Sequence, residues 1–180
     1  MVGPLAAFVG PSGAGKDTLM EAVHARLPNS HLVRRIITRP TEAGGEMFEG
    51  VSVTEFERRA AAGAFVLRWG AHGLYYGIPS AVGEVLADGR LALVNLSRGV
   101  LAQAAAQFPT LHVLNITASP EVLAARLAGR GRETPEQILK RLSRKPAQFP
   151  PGLAVTDIVN EGTVDQAVAQ ILAALQPARV

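Results

Sequence analysis

A run of small residues that ends in a lysine lies near the amino end of the sequence. It comprises Gly10, Pro11, Ser12, Gly13, Ala14, Gly15 and Lys16. Glycines let a backbone curl until successive N–H groups point inward at phosphate oxygens, and a helix that begins there adds its partial positive charge. Lys16 supplies a mobile cation that can follow charge onto a leaving group. The run predicts a loop that cradles the phosphates of ATP, and the alternative is a turn that only joins a strand to a helix.

The residue after this lysine departs from the usual pattern of phosphate loops. Asp17 stands where a serine or threonine hydroxyl normally contacts Mg²⁺, and Thr18 follows it. A carboxylate beside a triphosphate is tolerable where a metal ion or an arginine offsets its charge. We therefore expect Mg²⁺ dependence, with Asp17 holding the ion through a water molecule or Thr18 bonding an α-phosphate oxygen. The alternative for Asp17 is an acidic residue that favours the start of a helix.

A second group of basic residues lies in the carboxyl-terminal half of the chain. It comprises Arg126, Arg130, Arg132 and Arg141. Thr134 and Pro135 predict that a helix begins between them, with Thr134 as its cap. Planar guanidinium groups suit a phosphoryl group in transfer, and the glycines at 129 and 131 allow closure over ATP. We predict a hinged lid at about 129–148 with Arg130 and Arg141 as its catalytic pair; a solvated helix face is the alternative.

The elements that must position these residues alternate between short β-rich runs and longer helical patterns. The predicted strands are 4–9, 31–37, 91–95, 112–116 and 154–159. This alternation predicts an α/β fold in which a five-stranded parallel sheet is flanked by helices. Residues 38–78 interrupt it with glycines, arginines and aromatic residues around a short helix at 54–62. We expect one domain over 1–180, with a core of 1–37 and 79–180 and an insert at 38–78.

Composition excludes several classes of function. The chain has 180 residues, a net charge of +3 and only 5% aromatic residues, so no surface for nucleic acid can be identified. No segment approaches the roughly 20 apolar residues of a membrane helix. Cysteine is absent, which excludes disulfides and suits a cytoplasmic location. The oligomeric state stays open, a homodimer included.

Over nearly its full length the sequence resembles the nucleoside monophosphate kinases of the guanylate kinase type, which have a P-loop NTPase fold. The matching motifs, in family order, are 10–16, Ile37-Thr-Arg39-Pro, Val51-Ser-Val-Thr-Glu-Phe56, Tyr75-Tyr76-Gly77, Arg130-Gly131, Lys140-Arg141-Leu142 and Val159-Asn160. The resemblance implies that Arg39 and Tyr76 grip the acceptor phosphate. It also implies that Arg130 and Arg141 contact the transferred group and that Asn160 lies near the adenine.

The resemblance fails where guanylate kinases recognise guanine. Those enzymes accept hydrogen bonds from the base with two carboxylates, and here the corresponding positions are Arg68 and the strand end 95–98, which reads Asn-Leu-Ser-Arg. The loss of such acceptors costs a site about 10⁴-fold in its preference for the base, so guanosine monophosphate is expected to be a poor substrate. The arginines indicate an acceptor with more negative charge.

The sequence is more similar to the ribose 1,5-bisphosphate phosphokinases of the phosphonate pathway. The similar segments are Gly15-Lys16-Asp17, 71–77, 93–98 and 129–133. That family phosphorylates the 1-phosphate of the sugar bisphosphate and forms 5-phosphoribosyl 1-diphosphate, so the acceptor has two phosphates and no base.

This second resemblance extends the set of predicted substrate contacts. Arg68 and Arg98 are expected at the other acceptor phosphate or in its charge balance, and Asn95 or Ser97 at ribose hydroxyls. His72 is a candidate hydrogen-bond partner of the acceptor, with an ordinary loop histidine as the alternative. Arg35, close to Arg39, is a further candidate for substrate binding.

Two other functions stay open at this point. A nucleoside monophosphate kinase of altered base preference would phosphorylate some nucleotide far faster than a sugar phosphate. A non-catalytic scaffold module of the guanylate kinase type would fail to bind ATP, although such modules tend to lose the loop residues that are intact here at Gly15 and Lys16.

Overall fold

The helices and strands follow one another in the order expected for an α/β chain. The computed structural model describes residues 1–41, 47–131, 134–143 and 145–176. The first half contains β1 (Leu5–Val9), α1 (Lys16–Arg26), β2 (His31–Leu32), β3 (Arg35–Ile37), β4 (Phe48–Gly50), α2 (Val53–Ala61), β5 (Phe65–Ala71), β6 (Leu74–Pro79) and α3 (Val82–Ala87). The second half contains β7 (Ala92–Asn95), a 3₁₀ turn (Arg98–Val100), α4 (Leu101–Gln107), β8 (Leu111–Thr117), α5 (Pro120–Gly129), α6 (Pro135–Leu142), β9 (Val155–Val159) and α7 (Val164–Leu175).

The central sheet has five parallel strands in the order β2-β7-β1-β8-β9. The middle strand β1 is buried along its whole length, because helices or the second sheet cover both of its faces. Ala6 and Phe8 pack on the side of α1, α5 and α7, while Leu5, Ala7 and Val9 pack on the side of α3 and α4. The predicted five-stranded parallel sheet flanked by helices is therefore confirmed.

The single strand predicted for residues 31–37 is wrong. His31–Leu32 pairs with β7 in the central sheet, whereas Arg35–Ile37 pairs with β4 and β6 in a second sheet. Val33 and Ile36 are buried on either side of the break, and Arg34 between them is exposed. The hydrophobic pattern could not show the break, since it records burial and not the identity of the partner strand.

The second sheet contains four strands in the order β4-β3-β6-β5. β5 and β6 form a hairpin whose two-residue turn, His72-Gly73, has positive φ angles of 54° and 74°. A turn of this kind needs positive φ at both residues. On one face α2 packs through Phe56, whose ring stacks on those of Phe65 and Tyr75 at 4.6 and 5.8 Å between centroids.

Membrane-spanning character is not found among the described residues, where every helix is too short or too polar to cross a bilayer.

The short helix predicted for 54–62 is α2, which begins after Ser52. The Ser52 hydroxyl accepts a hydrogen bond from the Glu55 N–H at 3.1 Å, so a side-chain cap sets the start of the helix.

An ion-pair cluster on α2 predicts how this helix responds to acid. Glu55 accepts hydrogen bonds from Arg58 and Arg59 at 2.7 and 2.6 Å, which lowers the pKa of its carboxyl to about 2. A lowered pKa means that the stabilisation is complete above the ordinary glutamate value and is lost as the pH falls from about 4.5 through about 2. NMR titration of the Glu55 carboxyl should give a midpoint near 2. The double variant Arg58→Gln/Arg59→Gln should return it toward the ordinary value, and an unchanged midpoint would contradict the assignment.

Candidate functional site

The glycine-rich loop between β1 and α1 has a backbone that only glycine accommodates at three points. Gly10, Gly13 and Gly15 have φ angles of 147°, 86° and 90°. A Cβ atom on Gly15 would lie 2.6 Å from the Asn160 side-chain nitrogen, and one on Gly10 would lie 2.3 Å from the Ile116 carbonyl oxygen. The loop therefore curls at the carboxyl end of β1 and leads directly into the first turn of α1, where a bound anion would meet the helix N-terminus.

Lys16 begins α1 and reaches back over the loop. Its ammonium group donates hydrogen bonds to the carbonyl oxygens of Gly10 at 2.9 Å and Pro11 at 3.1 Å. These two carbonyls lie at the entrance of the loop, where Pro11 and Thr18 are exposed and Ser12 is half-buried. The positive charge is thus held at the mouth of the loop by hydrogen bonds to two backbone oxygens.

The back of the loop is held by two side chains from elsewhere in the chain. Asn160, at the end of β9 and only 6% exposed, donates from its side-chain amide to the Ala14 carbonyl oxygen at 2.8 Å. Arg126, on α5, donates to the Asn160 carbonyl at 2.8 Å and approaches the carbonyls of Gly13 and Ala14 at 3.4 and 3.5 Å. The loop carbonyls therefore face protein donors. Sequence reasoning assigned Arg126 to the lid and Asn160 to the adenine, and neither contact with the loop has a local signal.

Asp17 lies in the first turn of α1 and contacts the neighbouring strand β7. Its carboxylate accepts a hydrogen bond from the Asn95 side-chain amide at 3.1 Å. Asn95 ends β7 and is buried, and the two residues line a cavity of about 120 Å³ together with Arg34 and Met47 from the edge of the second sheet. The predicted metal ligand and one predicted sugar ligand therefore occupy one cavity.

The protein side chains at this cavity fit a magnesium ion only if water and substrate phosphates complete its coordination. The described part of the chain holds no group of three or more histidine, cysteine, aspartate or glutamate side chains that could bind a metal. Mg²⁺ is commonly bound by one or two carboxylates, water and substrate phosphates. Asp17 beside a phosphate loop matches that arrangement.

Three of the predicted acceptor residues lie on one face of the second sheet. The Tyr76 ring stacks on Trp69 with 5.3 Å between centroids, and the Arg35 guanidinium lies 5.2 Å from the Tyr76 ring. The Arg39 guanidinium lies 4.3 Å from the ring of Phe48, the register partner of Arg35 on β4. Because residues paired across a sheet share a face, Arg35, Arg39 and Tyr76 form one cationic and aromatic surface, called here the acceptor face.

Arg68 is not part of the acceptor face. Trp69 and Tyr76 are register partners, and Arg68 and Gly77 form the next pair along the hairpin. Because successive residues of a strand point to opposite faces, the Arg68 side chain projects to the side of the sheet away from Tyr76. There it lines a surface pocket of about 390 Å³ with Phe56 and Tyr75. His72 lies exposed at the tip of the hairpin. The structure therefore does not bring these two predicted substrate residues together with Tyr76.

Ser97 and Arg98 contact protein groups at the end of β7. The Ser97 hydroxyl caps the 3₁₀ turn by accepting from the Gly99 N–H at 3.4 Å. The Arg98 guanidinium donates to the Asn115 side-chain oxygen at 2.9 Å and to the Ala147 carbonyl at 3.3 Å. Burial lowers the pKa of Arg98 and the nearby Asp157 carboxylate opposes that shift.

The helix predicted to begin after Thr134, within the range assigned to the lid, is present as α6. α5 ends at Gly129 with Arg130 exposed behind it, and Gly131 has a φ angle of 63°. The Thr134 hydroxyl accepts from the Gln137 N–H at 3.3 Å, so this threonine caps α6 as predicted. Arg132 and the side chain of Arg141 lie outside the part of the chain that the structure describes.

Comparison with known proteins places this geometry in a family. The family model described as guanylate kinase matches residues 5–178. A protein named ribose 1,5-bisphosphate phosphokinase PhnN from Ruegeria sp. (strain TM1040) is 46% identical over 98% of this chain and 94% of its own length. A protein of the same name from Agrobacterium fabrum is 46% identical over 94% of each chain.

The similarity extends to solved structures. The crystal structure of guanylate kinase from Anaplasma phagocytophilum superimposes with a TM-score of 0.71 at 18% identity, covering 97% of this chain and 85% of that one. At this identity the likeness shows a shared fold.

The contact between Asn160 and the loop predicts the effect of a single substitution. Asn160→Ala removes the donor to the Ala14 carbonyl, so the free energy of unfolding should fall by about 1–3 kcal/mol and ATP affinity by about tenfold. Calorimetric titration with ATP measures the second effect. The matched control is Gln170→Ala, because the described contacts of the Gln170 side chain are with the backbone of Val159, next to Asn160, and of Gln166, and none is with the loop. Equal losses of ATP affinity in the two variants would contradict a specific role for Asn160.

Proposed function

The chain belongs to the guanylate kinase family, and we propose that it transfers the terminal phosphoryl group of ATP to the 1-phosphate of ribose 1,5-bisphosphate, forming 5-phosphoribosyl 1-diphosphate. The observation that carries this proposal is similarity over almost the whole chain to relatives of that name, 46% identical over 98% of it. The intact loop at 10–16 supports catalysis over a scaffold role.

The reaction needs no proton acceptor. The attacking atom is an oxygen of the acceptor 1-phosphate, which is ionised at neutral pH, and it forms the new bond to the γ-phosphorus as the bond to the β,γ-bridging oxygen breaks. ADP leaves with the negative charge. The protein is left with placement and charge stabilisation, and holding the two reactants in line supplies about 7–11 kcal/mol of the barrier reduction in such reactions.

We assign ATP to the loop and the start of α1. The proposed contacts are residues 10–18, with Lys16 on the β- and γ-phosphates. Arg130 and Arg141 would approach the transferred group from the lid at 129–148, and bidentate guanidinium groups would stabilise its spread charge. Asn160 and Arg126 support the loop from behind, through their contacts with its carbonyls.

The acceptor is assigned to the insert at 38–78 together with β3. Arg39 and Tyr76 would hold one phosphate, with Arg35 beneath the Tyr76 ring adding positive charge. Aspartate or glutamate does not occur at position 68 or over 91–98, where a base would be recognised in guanylate kinases. An acceptor that consists of a sugar and two phosphates needs no such acids. The proposal includes a cytoplasmic location, where ATP is available.

Magnesium is part of the proposal. Bound with ATP, Mg²⁺ would offset the charge that builds on the phosphate oxygens. Asp17 would hold it, directly or through water, and Asn95 would fix the orientation of the Asp17 carboxylate. Second contacts of this kind set the geometry of metal-binding carboxylates.

The activity is tested by offering ATP and Mg²⁺ with ribose 1,5-bisphosphate or with each nucleoside monophosphate in parallel, and identifying products by ³¹P NMR. We expect a new diphosphate signal from the sugar bisphosphate. Guanosine monophosphate should react at least about 10³-fold more slowly in kcat/KM, since its hydrogen-bond donors meet no carboxylate. Faster turnover of any nucleotide than of the sugar bisphosphate would favour the nucleoside monophosphate kinase alternative.

The pair of Asn95 and Asp17 gives a separate prediction. Asn95→Ala leaves Asp17 without its amide partner, so the Mg²⁺ concentration needed for half-maximal binding of an ATP analogue should rise by about tenfold. Glu21→Gln is the matched control, because Glu21 lines the same cavity and carries the same charge as Asp17. If both variants shift the Mg²⁺ dependence equally, the shift reflects a general disturbance of the cavity, and the specific role of Asn95 through Asp17 is refuted.

A further inference from the structure

A chain of polar side chains runs from the end of β7 across β1 to β8 and β9, on the face covered by α4. Asn115 on β8 and Asp157 on β9 are register partners, and the Asn115 amide donates to the Asp157 carboxylate at 2.6 Å. Arg98, just past β7, donates to the Asn115 side-chain oxygen at 2.9 Å. Asn115 is only 6% exposed. One edge of the Arg98 guanidinium is therefore held by a buried amide whose own donor is satisfied.

The other terminal nitrogen of the same guanidinium contacts the segment that follows α6. The guanidinium donates to the Ala147 carbonyl at 3.3 Å and lies 4.4 Å from the centre of the Phe149 ring. Phe149 packs at the margin of the core. Residues 145–150 lie outside any helix or strand and lead from α6 toward β9. Arg98 thus joins the central sheet to the return segment, defined here as residues 145–150.

The contacts use the properties that distinguish arginine from lysine. A planar guanidinium can donate in its plane to two oxygens in different directions while its face stacks on an aromatic ring, and an ammonium group cannot do all three in this geometry. The positive charge of Arg98 is attracted by the carboxylate of Asp157, which lies on the far side of Asn115. The Arg98 side chain is thereby oriented toward the return segment.

We propose that Arg98 is a positioning residue that anchors the return segment to the central sheet and so fixes the pivot on which α6 closes. The inference rests on the proposed function for its kinetic part. It replaces the expectation that Arg98 binds an acceptor phosphate. If the pivot is fixed, the lid arginines reach the same position each time the lid closes. If the pivot is loose, their positions in the closed state vary and they contact the transferred group less often.

The test compares Arg98→Lys and Phe149→Leu with wild type by amide hydrogen exchange and steady-state kinetics. Both should exchange faster at the amides of 147–149 in the ligand-free protein. Both should lower kcat, by about tenfold for Arg98→Lys and less for Phe149→Leu, while KM for the sugar bisphosphate stays within about threefold. Phe149→Leu leaves every charge in place, so it isolates the anchor from electrostatic effects, and thermal melting establishes that each variant is folded.

Arg90→Lys is the matched control. Arg90 also holds a loop, by donating to the carbonyls of Asn29 and Ser30 at 3.1 and 3.5 Å, but it lies before β7, at the end of the strand away from the site. It should change neither exchange at 147–149 nor kcat.

Three outcomes overturn the proposal. A rise of about tenfold or more in KM for the sugar bisphosphate with unchanged exchange would make Arg98 a phosphate ligand. Unchanged exchange with unchanged kinetics would show no anchor, and faster exchange without a fall in kcat would separate the anchor from catalysis. If wild type does not phosphorylate the sugar bisphosphate, the proposed function fails, while the exchange data still decide whether Arg98 anchors the segment.

Discussion

The hydrogen bond from the Asn160 side chain to the Ala14 carbonyl is the contact on which the site depends. A loop with φ angles of 86° and 90° at Gly13 and Gly15 directs the carbonyls of Gly13 and Ala14 toward the protein behind it. Those carbonyls need donors, and Asn160 with Arg126 supplies them from β9 and α5. Because all five strands of the central sheet are parallel, the carboxyl ends of β1 and β9 lie on the same side of the sheet. The donors behind the loop are therefore in place without a ligand.

The division of charge over the site follows from the same arrangement. Lys16 belongs to the core, and the arginines at 130 and 141 belong to the proposed lid, whereas Arg35 and Arg39 lie at the second sheet with Tyr76. Asp17 and Asn95 lie in the cavity between these two parts. Two anions that repel each other can therefore be held close together on separate cationic surfaces, which is the main demand of phosphoryl transfer to a phosphate.

Much of this could be predicted from the sequence, because the relevant signals are local. The glycine run, the cap at Thr134 and the alternation of strands and helices depend on neighbouring residues. The change of sheet after Val33 could not be predicted, since a hydrophobic pattern does not record which strand a residue pairs with. The opposite faces of Arg68 and Tyr76 depend on the register of β5 and β6. The contacts of Arg98 and Asn160 join residues far apart in the chain, and no spacing rule identifies such partners.

A crystal structure with ADP or an ATP analogue bound to the loop is the most direct measurement of the central claim. The loop backbone from Gly10 to Gly15 should be unchanged, with the Ala14 carbonyl still bonded to Asn160, while Lys16 moves from the carbonyls of Gly10 and Pro11 to phosphate oxygens. A loop that rearranges and releases the Ala14 carbonyl on binding, or a nucleotide bound elsewhere with Lys16 still on its backbone oxygens, would contradict a preformed phosphate site.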